Sequence, residues 1–66
     1  MTSEQIEDAH LALFKLLRAK HYLCQAIDAL AKTDLAIYYD VDNLYNTIKH
    51  CSDVLEADIK GKEETE

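Results

Sequence analysis

The side chains that could do chemistry in this 66-residue chain are three histidines, two cysteines and thirteen carboxylates. Glu7 and His10 stand at the Glu-x-x-His spacing that places a carboxylate and an imidazole one helical turn apart in di-iron bundles. Such a site needs a second copy of the motif and two further inward glutamates. The chain has one copy, with Glu7 on the outer side of its helix. His50 and Asp53 repeat the spacing, but no nucleophile or oxyanion device accompanies them. His21 has no partner at ligand spacing. Cys24 and Cys51 match no zinc pattern and no disulfide framework. The expectation is a non-enzymatic protein with no metal and no cofactor, its thiols reduced.

Recognition chemistry is more legible. Leu11, Phe14, Arg18, His21, Tyr22 and Gln25 recur at steps of three and four, which aligns them in one strip along a helix. Apolar and aromatic side chains in a row beside an arginine have the composition of interface hot spots. Leu11, Phe14, Arg18 and Tyr22 are therefore the candidate partner-binding residues. Tyr38, Tyr39 and Tyr45 form a second aromatic group further along.

The element that positions the strip is a long amphipathic helix. Ile6, Ala9, Leu13, Leu16, Lys20, Leu23, Ile27 and Leu30 alternate steps of three and four on the side opposite the strip, the spacing of a helix–helix seam. Lys20 is its one charged member. Counting Ile6 as heptad position a, the flanking e and g positions are also small or apolar (Ala12, Ala19 and Ala26; Leu17, Cys24 and Ala31). That stripe is wide enough to touch two neighbouring helices. Thr2 and Gln5 fit a capping box that starts the helix, and Glu4, Glu7 and Asp8 suit the positive end of its dipole.

With no Pro and a single Gly at position 61, nothing interrupts helix formation until Lys32-Thr33-Asp34. The spacing predicts helix one over about 3–31 and helix two over about 34–60. A later start, capped by Asp40, is the alternative. Helix two carries the seam Ile37, Val41, Leu44, Ile48, Cys51 and Leu55, with Asp58 on the stripe and Ile59 beside it. A turn at 31–33 opposes Leu30 with Asp34, Leu23 with Val41, Lys20 with Leu44 and Leu16 with Ile48. Glu56 and Lys60 form an i, i+4 pair, Gly61 reads as a C-cap, and 61–66 reads as a frayed acidic tail.

Two helices cannot cover both flanks of so wide a face. The expected architecture is an all-α antiparallel hairpin that dimerises into a four-helix bundle. Leu13, Leu16, Lys20, Leu23, Ile27, Leu44, Ile48 and Leu55 form its oligomer core. The net charge of −6 disfavours binding to nucleic acid or anionic lipid, which draws on Lys and Arg. No membrane-length apolar run and no signal-peptide pattern is present, so a cytoplasmic protein is expected. The partners expected are a second copy and an unidentified protein, with RNA as the rival.

An acidic helical hairpin of this length, beginning Met1-Thr2 and carrying a lone Phe14 on the outside of helix one, resembles the Rop family of plasmid-encoded four-helix-bundle dimers. In that family the outward Phe stacks on paired RNA loops. The resemblance implies an RNA-binding role for Phe14. Ser3, His10 and Gln25 stand where the family has Lys, Asn and Lys. The chain is also similar in kind to accessory proteins of phage and plasmid operons, which implies action by contact with another protein.

Overall fold

A helix begins with amides that have no intrahelical acceptor, and Thr2 and Gln5 answer that need. The computed structural model describes residues 1–64, Glu64 by its backbone alone. In it the Gln5 amide donates to the Thr2 hydroxyl at 3.1 Å, and the Thr2 amide donates to Gln5 Oε1 at 3.0 Å. The capping box is present, and α1 runs from it over Ser3–Leu30.

The end of α1 lacks the left-handed residue that commonly closes a helix, since no described residue takes a positive φ. Thr33 closes it instead. Its amide and its hydroxyl both donate to the Leu30 carbonyl, at 3.0 and 2.7 Å, and its oxygen accepts from the Leu35 amide at 3.2 Å. This side-chain bridge holds 31–36 as a loop. The second helix, α2, therefore spans Ile37–Glu64, starting later than Asp34 and earlier than an Asp40 cap would allow. Leu35 and Ala36 are connecting chain.

At the other end α2 passes through Gly61, which keeps a negative φ and caps nothing. The Glu56–Lys60 pair is formed at 3.4 Å, and His10 Nε2 donates to Glu63 Oε1 at 2.6 Å. These contacts lie in or beside the final turns and accompany their helical form, where a frayed tail was expected. The rest of that tail, Thr65 and Glu66, lies outside the described residues.

All eight seam positions of α1 are half-buried, Lys20 included, and Ala19 joins them. On α2 the covered row is Tyr38, Val41, Tyr45, Ile48, Ser52, Leu55 and Ile59, with Asp42 beside it. Val41, Ile48 and Leu55 are as expected. Ile37, Leu44 and Cys51 are exposed instead, and the residue after each takes its place. The covered stripe is rotated by about 50–60°, roughly half of one residue's turn, relative to the expected phase. The reason lies at the open end, where the expected stripe brought Asp58 into the seam and would bury a carboxylate at large cost. The observed phase brings Ile59 there, 3% exposed. It also admits Ser52, 2% exposed, whose hydroxyl donates to the Ile48 carbonyl at 2.9 Å and so is buried without an unmet hydrogen bond.

Paired outward from the loop, the two covered rows set Leu30 by Tyr38, Ile27 by Val41, Leu23 by Tyr45, Lys20 by Ile48, Leu16 by Ser52, Leu13 by Leu55 and Ala9 by Ile59, with Ile6 left over at the open end. In this register His10 and Glu63 lie about 7.5 Å apart along the axis, a gap their side chains close because each leans toward the N-terminus of its own helix. The tighter turn would have set them about 13 Å apart along the axis. Among the described residues only Ser52 and Ile59 are fully buried. The molecule is a rod of 51 × 14 × 11 Å. Its radius of gyration, 15.2 Å, exceeds the roughly 11 Å of a compact domain of this length.

Candidate interaction surface

Because α1 commits its seam to α2, the opposite side of the same helix is turned to solvent. Leu11, Phe14, Arg18 and Tyr22 are all exposed, Leu11 at 55% and Phe14 at 53%. One helical turn separates Phe14 from Arg18, and the guanidinium carbon sits 5.6 Å from the Phe14 ring centroid, within cation–π range. The contact holds the cation over one face of the ring.

The next turn is also organised by its own side chains. Gln25 Nε2 can only donate, so it places a hydrogen on His21 Nε2 at 3.1 Å. The His21 ring in turn lies 6.0 Å from that of Tyr22 at an interplanar angle of 59°. Phe14, Leu17, Arg18, His21 and Tyr22 together line a shallow, mainly apolar groove. Leu17 is the member that sequence reasoning missed. It was expected as a covered flank of the seam, yet it is exposed. Its position three residues from Phe14 was the signal.

The tyrosines near the turn divide. Tyr38 and Tyr39 meet edge to face, 5.4 Å between centroids at 81°, while Tyr45 is half-buried in the seam. Leu30, Thr33, Asp34, Leu35, Tyr38 and Tyr39 border a second concavity at that end.

The chemistry-bearing residues do not converge. His10 turns to Glu63 across the hairpin, and His50 and Asp53 are both exposed on α2. Among the described residues no three His, Cys, Asp or Glu side chains stand close enough to hold a metal ion. Both cysteines are free and exposed. No helix is long and apolar enough to cross a membrane among the described residues. Of the expected oligomer core, Leu13, Leu16, Lys20, Leu23, Ile27, Ile48 and Leu55 are half-buried within the hairpin, and Leu44 stands outside it, 49% exposed. The chain matches no family model, no curated protein and no solved structure in the comparisons made.

Proposed function

We propose that this chain is a small non-enzymatic regulatory or accessory protein, of the kind phages and plasmids encode. It acts in the cytoplasm by protein–protein contact as a helical homo-oligomer. The observation that supports this reading most is the exposed strip on α1. Leucine, phenylalanine and tyrosine are presented in one line on a rigid helix, with a cation held over the aromatic ring. A rigid helix face with aromatic anchors at such spacing suits a groove on another protein. Leu11, Phe14, Arg18 and Tyr22 are the contact residues, and Leu17 completes the groove.

The experiment is Phe14→Ala, scored for helicity, solution mass and recovery of the cellular partner that the unaltered protein retains. Helicity and mass stay unchanged and the partner is lost. If Phe14→Ala dissociates the oligomer, Phe14 belongs to the oligomer core and the contact surface is elsewhere.

One observation favours a second reading, an RNA-binding regulator using the same strip. An exposed ring with an arginine beside it is a stacking platform for unpaired bases. The charge of −6 opposes it. Titration of RNA hairpins at rising salt separates the two: binding that weakens steeply with salt supports RNA, and no binding at low salt eliminates it.

A further inference from the structure

The rotation of α2 leaves a second apolar face that the partner strip does not use. In the observed register the hairpin is a ribbon one helix thick, with two broad sides. On one side Ala12, Ala19 and Ala26 of α1 run alongside Ile37, Leu44 and Cys51 of α2, with Val54 next to them and Asp58 ending the α2 row. All but the half-buried Ala19 are exposed. On the other side Leu17, Cys24 and Ala31 of α1 run alongside Asp42, Lys49, Glu56 and Glu63 of α2, a charged row that carries the His10–Glu63 bond. The fold thus has one mainly apolar side and one side on which the α2 row is charged.

We infer that the apolar side, centred on Ala19, Leu44 and Cys51, is where a second copy of this chain docks, so that two ribbons stack into a four-helix bundle. This rests on the homo-oligomer part of the proposed function and assigns its interface. Area supports that occupant. The chain exposes 5041 Å², whereas a compact monomer of 7.5 kDa exposes about 4,200 Å². The surplus, about 800 Å², is what each partner contributes to an interface of standard size.

The face is also self-complementary. A twofold axis along the rod sets the alanine row of each copy against the larger row of the other, so that large side chains meet small ones in an isologous contact. Leu44 and Cys51, expected from sequence in the seam of a bundle, are thereby covered by the second copy rather than by α1. Leu11, Phe14 and Arg18 lie off this face, and Tyr22, a turn from Ala19 and Ala26, stands at its rim. A dimer formed here leaves Leu11, Phe14 and Arg18 of each copy open.

The test compares the solution mass of the full chain with that of Leu44→Glu, Val54→Glu and Phe14→Glu by light scattering over a range of concentrations. The unaltered chain and Phe14→Glu have twice the chain mass, and Leu44→Glu and Val54→Glu have the mass of one chain. If a charge variant loses helicity together with mass, Leu44→Ala decides the matter. Truncation at two equivalent sites raises the dimer dissociation constant by roughly hundredfold, and an unchanged constant overturns the assignment. A dimer that survives Leu44→Glu, or that Phe14→Glu dissociates, also overturns it while leaving the homo-oligomer reading in place. A monomeric unaltered chain refutes both.

Discussion

Truncating Ile59 tests the phase of α2 directly, because Ile59 is the most buried hydrophobic residue described, at 3% exposure. Ile59→Ala removes three carbons from the seam. At about 0.8 kcal/mol per buried carbon the transfer cost is about 2.4 kcal/mol, and a residual cavity brings it toward 3 kcal/mol. The site sits near the open end of a two-helix rod and can partly collapse, which keeps the cost near the lower figure. A domain this small has only about 3–5 kcal/mol to lose, so Ile59→Val is the more quantitative variant. One carbon costs about 1 kcal/mol and lowers Tm by roughly 4–8 °C.

The assay is urea unfolding followed by far-ultraviolet circular dichroism. All variants are held at one protein concentration, since self-association shifts apparent stability. Leu11→Ala is the control, an aliphatic truncation at a side chain 55% exposed, and it stays within about 0.5 kcal/mol of the unaltered chain. Ile59→Val indistinguishable from the unaltered chain, or Leu11→Ala more damaging than Ile59→Ala, refutes the packing argument.

Two further outcomes follow from the helix ends. Thr33→Ala removes both side-chain hydrogen bonds that close the turn and destabilises by about 1 kcal/mol, whereas Thr33→Ser restores most of the loss; chemical denaturation measures both. Gly61→Ala adds a methyl group that meets nothing within 4 Å at a helical position without positive φ, so it stabilises by about 0.5–1 kcal/mol, read as a rise in Tm.

Much of α1 was legible because its determinants are local. The capping box needs only Thr2 and Gln5, and the seam from Ile6 to Leu30 is the one apolar row that meets steps of three and four on that side. The exposed line of Leu11, Phe14, Arg18 and Tyr22 follows from the same periodicity once the seam is placed. The turn was less legible. No glycine marks it, and its closure depends on one threonine hydroxyl bridging Leu30 and Leu35. Gly61 misled for the converse reason, since a glycine at a helix end need not adopt the conformation that makes it a cap.

Local pattern dictates the pair of amphipathic helices and the faces on which their apolar residues lie. Which of two adjacent apolar rows on α2 meets α1 emerges only when the helices pack. Periodicity leaves that choice open, because Ile37, Leu44 and Cys51 flank Val41, Ile48 and Leu55 on one side as Tyr38, Tyr45 and Ile59 do on the other. Packing settles it, since only one rotation buries Ile59 and keeps Asp58 in water.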